Sequence, residues 1–414
     1  MLKKRSKVKK NLLHRIFYQY EYKVVYKRAA FTLFILLIYI LGSHVTIVDE
    51  SSVRVYNQSF YRLAISNVGG NINTLNIFTL GLGPWLTALV LLMLWRYRNS
   101  EKMLHQTRRE QHCQEKWLTL IFSLIQGYFV IHQYIRDEQL EKVNVWMLLL
   151  ILVTGAMMLI WLADQNVRYG IAGAMPIVLI SIIRTLFHQK VSTFSMDRHM
   201  MFFVIGAIVI VMIILLFLEL VEYRLSYYNI MQVEQTQLSS FVAWKLNPAG
   251  SITIMMSLSV YILINSLLNM AMFFLTGTFE NISLTQLSHP IGVTLYIVIQ
   301  ILLGYGLSRL LINTKQKSKE FLKGGHYFEG ISPGVDTEVY LHERARIICW
   351  TGSLIVGLIM GIPLYLSLML PHLSQQVYFA IQFMILMYIG MNIAETIRTY
   401  FYFDKYQQFL TKYW

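Results

Sequence analysis

The sequence predicts an all-α polytopic membrane protein with ten transmembrane helices in two inverted five-helix halves. Three observations lead there. Of the 414 residues, 56% are apolar and only 14% charged; apolar stretches of spanning length recur ten times; and the basic residues crowd onto one side of those stretches. A soluble domain of this composition would carry more apolar surface than it could bury.

A spanning helix needs roughly 20 mostly apolar residues. Such stretches fall near residues 30–48, 76–95, 117–135, 146–163, 171–187, 201–220, 250–275, 290–313, 347–369 and 377–394. Those beginning at 76 and 171 are interrupted by glycine and proline. The first does not read as a cleavable signal, because a long basic segment precedes it and no small-x-small site follows before Val48. Ahead of it, Leu12, Leu13, Ile16, Phe17, Tyr20 and Val24 recur at helical spacing among Arg15, Lys23, Lys27 and Arg28. That pattern suits a helix lying along an anionic membrane surface. Residues 1–29 are therefore expected as a cytosolic amphipathic segment, 30–190 as the first half, 191–394 as the second and 395–414 as a cytosolic tail.

With the amino terminus assigned to the cytosol, 28 of the 34 Lys and Arg residues in loops and tails fall on the cytosolic side, and Arg184 and Arg309 fall within helices. This asymmetry predicts cytosolic termini, and it accounts for the net charge of +14 without a nucleic-acid partner. Dividing ten spans after the fifth starts the second half from the opposite side, which makes the halves inverted, the topology of folds that conduct between two repeats.

Residues 66–84, SNVGGNINTLNIFTLGLGP, are too polar and glycine-rich to span, yet they lead straight into an apolar helix. Non-helical backbone at membrane depth is tolerated only inside protein or beside water, so a re-entrant segment lining a central cavity is one reading and a structured outside loop the other. The cytosolic loops 221–249 and 314–346 are longer than a tight turn requires. The second holds Lys315, Lys317, Lys319 and Lys323, then GGHYFEGISPG, whose Gly and Pro positions suit a hairpin or tight turns. By elimination both loops are expected to dock a partner; contact with anionic lipid is the ordinary alternative for the lysines.

No GxxxxGK[ST] phosphate loop, HExxH or GxSxG occurs, so energy must come from elsewhere and neither an enzyme nor a cofactor is expected. Cys113 and Cys349 form no disulfide framework, and His105, His112 and Cys113 read as scattered surface groups, not a metal site. Asp164 and Arg168, four apart, read as a surface pair, and Arg184 as a residue that snorkels to the outer interface. Glu219 and Glu395 lie near the inner ends of the sixth and tenth spans. Asn265 and Asn269 share one face of an apolar helix and read either as interhelical hydrogen-bonding groups or as a polar gate surface.

Five segments, in order and near predicted helix ends, carry a resemblance. NIFTLGLGPWLTALVLLMLW (76–95), WLADQNVRYGIAGAMPIVL (161–179), KLNPAGSI (245–252), FLKGGHYFEGISPG (321–334) and the carboxyl-terminal YQQFLTKYW resemble motifs of the SecY family, the channel subunit of the general protein-export translocase. The resemblance implies an hourglass with an apolar ring at its waist, on Leu82, Leu86, Leu179, Ile183, Met255 and Ile389. It implies a plug near 67–75, including Asn67, Gly69, Gly70, Asn71 and Asn73, and a lateral gate between the second and seventh helices, where Asn265 and Asn269 would lie. An apolar ring closes around a passing chain without binding it, and when empty it blocks ions by dewetting.

The family's arginine at the motor interface is Ser332 here, and Pro176 stands where the family has serine. With short loops and many Met, Tyr and Phe residues, these departures resemble the accessory branch of the family in Gram-positive bacteria. The partners then implied are a dedicated SecA-type cytosolic ATPase docking on Lys315, Lys317, Lys319, Lys323 and Ser332, and an exported polypeptide of the large, serine-rich, glycosylated adhesin class. Small SecE-like and SecG-like membrane subunits or accessory secretion proteins are implied too. The alternatives are a housekeeping channel, or a small-solute or lipid-linked carrier, which would need a polar site at the midplane.

Overall fold

The computed structural model describes residues 20–47, 65–70, 75–99, 106–136, 144–188, 198–230, 240–276, 289–369 and 374–402. In chain order these form α1 (Tyr20–His44), α2 (Gly83–Arg98), α3 (Arg108–Arg136), α4 (Val145–Tyr169), α5 (Met175–His188) and α6 (Arg198–Leu220). Then come β1 (Glu222–Asn229), β2 (Ser240–Lys245), α7 (Gly250–Thr276), α8 (Pro290–Ile312), α9 (Thr314–Gly324), β3 (His326–Tyr327), α10 (Val335–Met369) and α11 (Ser374–Tyr402). Apart from the short polar α9, each helix covers one of the ten apolar stretches. Six candidate spans among the described residues are long and apolar enough to cross a membrane by length and composition, and shorter apolar helices run over Met175–Phe187 and Val209–Leu220.

The two interrupted stretches explain part of that difference. α2 has 16 residues and α5 has 14, about 24 and 21 Å at 1.5 Å per residue, short of a full hydrocarbon core. Each starts late, at a first turn containing Pro84 or Pro176, where a missing N–H costs nothing. The backbone before each is non-helical, with Gly81, Ala172 and Gly173 all at positive φ. Residues 78–84 and most of 170–178 are buried, so this irregular backbone is enclosed by protein, not lipid.

α8 and α10 pack closely because small residues let their backbones approach: Gly304 meets Ser353, Gly357 meets Ile301 and Gly361 meets Ile297. Leu150, Phe217, Leu302 and Leu358 are exposed on the outside of the bundle, as lipid-facing positions should be. One expectation changes, that for Asp164. α1 runs without a break over Tyr20–His44 and so takes in residues 20–29; residues 1–19 and the motif 406–414 lie outside the described residues. Asp164 turns not to Arg168 but to α3, with His112 Nε2 at 3.4 Å and Lys116 Nζ at 3.7 Å, because α3 packs beside α4 at that end. Arg184 is held by Ser43 at the end of α1, through both the Ser43 hydroxyl and its carbonyl.

At the end of the bundle that carries the Lys- and Arg-rich loops, β1 is the middle strand of a three-stranded sheet of order β2-β1-β3. It pairs antiparallel with β2, Leu225 opposite Val242, and with β3, Tyr228 opposite Tyr327. The segment 321–334 therefore does not pair with itself as a hairpin. It turns at 329–330 and 333–334 and lends its two-residue strand to β1. Under the sheet lies a separate small core of Leu225, Trp244, Phe321, Phe328, Leu341 and Ile348.

Candidate functional site

The segment 65–70, which precedes α2, enters the middle of the bundle as a short turn and is buried throughout. It lies backbone-to-backbone on the turn leading into α2: a Cβ on Gly81 would stand 2.4 Å from Gly70 N, and one on Gly70 2.5 Å from Thr79 O. Glycine is required at 81 twice over, since its φ is +60°. Three successive carbonyls of the segment each accept a hydrogen bond from a different element. Leu82 N–H reaches Val68 O at 2.8 Å, the Tyr39 hydroxyl of α1 reaches Gly69 O at 2.8 Å, and the Ser181 hydroxyl of α5 reaches Gly70 O at 2.9 Å. Gln382 of α11 adds a longer contact, Nε2 to Ser66 Oγ at 3.4 Å. Asn71 and Asn73 lie outside the described residues.

Of the positions expected for the ring, Leu82, Leu86, Met255 and Ile389 are buried in the main apolar core of the bundle, which also holds Ile177, Val178 and Ile182, and Leu179 packs on it while half-buried. Ile183 is half-buried and outside that cluster, because α5 turns Val178, Ser181, Ile182 and Thr185 inward. Leu82, Ile177 and Val178 line the approach to Gly69. The start of α2 is tied to α7 by the Ser259 hydroxyl, which donates to Gly83 O at 2.6 Å. Further along α7, Asn269 Nδ2 donates to Asn265 Oδ1 at 3.3 Å, a bond within the helix.

On the outer face of the small sheet-bearing core, Lys315, Lys319 and Lys323 of α9 are exposed, and Lys317 pairs with Glu320 at 2.8 Å. Ser332 is exposed, and its hydroxyl donates to Asp336 Oδ2 at 2.7 Å in the first turn of α10. The loop is fixed on both sides: Thr337 Oγ1 donates to Ser332 O at 3.0 Å, and Ser318 Oγ of α9 to Gly334 O at 2.9 Å. The expected docking residues thus sit on one surface that joins the two long loops. Between that surface and the ends of α6, α7, α8 and α11 opens a cleft of about 690 Å³, lined among others by Trp244, Lys245, Phe321, Glu219 and Glu395.

Lys245 is what the sequence left unassigned. At the end of β2, just before α7, its Nζ lies 2.8 Å from Glu219 Oε1 and 2.7 Å from Glu395 Oε1, bridging the ends of α6 and α11. Burial pulls the Lys245 pKa down, but the two carboxylates outweigh it, so the net shift is upward. The two acids near helix ends were visible; that one lysine of the KLNPAG motif answers both was not. Tyr39, Ser181 and Gln382 gave no signal beyond being polar in apolar runs, which states that a partner is needed without naming it.

Among the described residues ten apolar helices surround a short buried segment, two helical residues followed by a turn, and this arrangement suits a multi-pass membrane protein of the channel class. Residues 76–394 match the SecY family, and the chain belongs to that family. It is similar to the "Accessory Sec system protein translocase subunit SecY2" of Staphylococcus pseudintermedius (strain ED99), 52% identical over 407 residues, covering 98% of this chain and 100% of the relative. The protein of the same name from Staphylococcus aureus (strain Newman) is 52% identical over 401 residues, covering 97% and 100%. That from Staphylococcus carnosus (strain TM300) is 43% identical over 365 residues, covering 87% and 98%. Among solved structures, "The structure of a protein conducting channel" is similar with a TM-score of 0.62 at 13% identity, covering 91% of this chain and 92% of that one. "Sec61 in the Canine ribosome-channel complex from the endoplasmic reticulum" has a TM-score of 0.59 at 13% identity, with coverage of 91% and 92%. At such identities the likeness shows the fold, which is the SecY-like all-α fold.

Proposed function

We propose that this chain is the protein-conducting channel of an accessory Sec translocase. In this reading it sits in a bacterial plasma membrane with both termini in the cytosol. It exports a narrow set of proteins, of the large, glycosylated, serine-rich adhesin class, and is driven by a SecA-type ATPase that docks on the sheet, α9 and the loop at Ser332. Small SecE-like and SecG-like subunits or accessory secretion proteins complete it. The single observation that supports the channel is that Leu82, Leu86, Met255 and Ile389 are all buried in the main apolar core, with the buried segment 65–70 bonded to the turn at Leu82; in this reading those four residues close the path. Such a closure excludes ions by dewetting and yields to a chain of any sequence because it offers no specific bond. Full-length similarity to accessory subunits supports the narrower role.

Deleting the gene in its own organism tests the reading. Growth and bulk secretion are expected to continue, while a serine-rich glycoprotein fails to reach the surface until the gene is restored. Collapse of general secretion would assign the chain to the housekeeping role instead.

A further inference from the structure

Near the end of α8, on the side of the bundle that carries the Lys- and Arg-rich loops, the half-buried Arg309 meets only neutral acceptors. Its Nη1 donates to the Tyr305 hydroxyl at 2.9 Å, and its other terminal nitrogen lies against the His342 ring on α10. A phenol oxygen and an imidazole nitrogen accept hydrogen bonds but bring no negative charge. Other cations at this end are answered by acids, Arg96 by Glu115 and Lys245 by Glu219 and Glu395. At Arg309 a second guanidinium adds to the charge instead. α10 carries His342, Arg346 and Trp350 at four-residue intervals and therefore on one face. That face meets α8 at two points, where Trp350 stacks on Tyr305 with ring centroids 4.8 Å apart and where His342 touches Arg309. Arg346 falls between them, one turn from each, and it is exposed. Among the described residues neither arginine forms an ion pair, although Glu338 and Glu343 stand on α10 near His342 and Glu343 is only three residues before Arg346.

The surroundings are those of a lipid-covered surface. Leu302 and Leu311 of α8, and Ile347 and Leu354 of α10, are exposed apolar side chains on either side of the two arginines. A Tyr–Trp pair beside arginines, with apolar side chains running on along both helices, marks the depth at which headgroups meet acyl chains. We propose that Arg309 and Arg346 bind the phosphate of an anionic phospholipid whose acyl chains lie along the α8–α10 face. A guanidinium offers a planar fork of donors that matches two phosphate oxygens, and the phosphate supplies the negative charge that Tyr305 and His342 lack. Basic pockets between spanning helices take such headgroups for this reason. A zwitterionic lipid fits less well, because it brings its own cation toward two others. The proposal needs only that α8 and α10 span a bilayer; it does not depend on what passes through the bundle.

The test uses the full-length chain, purified in a neutral detergent and stripped of native lipid, with bound phosphatidylglycerol counted by native mass spectrometry. One lipid is expected to stay bound at concentrations at which phosphatidylcholine of the same acyl chains does not. Arg309→Gln and Arg346→Gln are each expected to weaken that binding about ten-fold, the order of one charge-assisted hydrogen bond. Arg309→Lys should weaken it less, since the charge stays and only the fork is lost. Arg168→Gln removes an exposed arginine from the last turn of α4 at the same end of the bundle, and it is expected to leave the bound lipid unchanged. An equal loss in Arg168→Gln would reduce the binding to diffuse attraction and overturn the site. Unchanged affinity in Arg346→Gln would overturn it too, and because that side chain is exposed the variant reads the site even where Arg309→Gln does not fold. Displacement of the lipid by inorganic phosphate as readily as by phosphatidylglycerol would assign the arginines to free phosphate and overturn the lipid.

Discussion

Tyr228 of β1 stands opposite Tyr327 of β3 in antiparallel register, with ring centroids 5.8 Å apart. This pair joins the loop between α6 and α7 to the loop between α8 and α10, so the two long loops form one surface. Beneath it Phe321 stacks on Phe328 at 5.3 Å and meets Tyr227 edge-on at 4.9 Å.

Phe321→Ala is expected to cost the small core about 3 to 5 kcal/mol, the usual penalty for emptying a buried phenylalanine site. Hydrogen exchange at the β1 amides reads this directly. Faster exchange across β1, with α7 and α8 unchanged, is the expected result; undisturbed β1 protection would mean that the sheet does not depend on this core.

The Lys- and Arg-rich end of the bundle is expected to face the cytosol. In a Cys113→Ser, Cys349→Ala background, a single cysteine at His289, before α8, should label from outside intact cells. One at Lys319 on α9 should label only after lysis. The reverse pattern would invert the whole topology.

Leu86→Gly and Met255→Gly are expected to raise ion conductance in planar bilayers, since a wider, hydrated constriction loses its dewetting barrier. Ile183→Ser is expected to do the same if Ile183 lines the path. Ile182, fully buried in the cluster, should on substitution lower expression and leave conductance near native. Conductance that follows Ile182 and not Ile183 would move the α5 contribution to the ring by one residue.

Lys245→Met leaves Glu219 and Glu395 without their shared cation. Because Lys245 is a third exposed, the expected loss is only about 1 kcal/mol, reduced further by salt. The folded-state pKa of Lys245 is raised, so its contribution is fully present below the ordinary lysine value of 10.5 and is lost only as pH rises through the higher folded value. Melting curves of native and variant protein should therefore differ by a constant amount across neutral pH and converge as the pH rises into strong alkali. A gap that changes near neutrality would place the titrating group elsewhere.

Ser332→Arg is expected to strengthen binding to a housekeeping SecA-type ATPase, because a guanidinium adds a fixed charge and five donors where the hydroxyl now serves Asp336. The gain should be partial, since Asp336 remains beside it as a competing partner. Binding of the purified channel to both ATPases at two salt concentrations reads the effect. A native channel that already prefers the housekeeping motor would contradict the accessory assignment, whereas an unchanged preference in the variant would remove only Ser332 from the explanation.

The spans, their number and the charge asymmetry were legible in the sequence because the bilayer acts on each segment separately: a stretch either is apolar over the needed length or is not, and flanking lysines and arginines count one by one. The late starts of α2 and α5 were half legible, since Pro84 and Pro176 marked where helices could begin. What only the tertiary structure decided is which distant groups meet. Lys245 had two candidate carboxylates and took both, Asp164 left Arg168 for α3, and α5 buried Ile182 in the core while Ile183 stayed half-buried. The carbonyls of Val68, Gly69 and Gly70 found their donors on three separate elements. A polar atom in an apolar run announces that it needs a partner, because burial without one is costly. Its identity depends on how helices far apart in the chain rotate and pack, and no local pattern of residues encodes that.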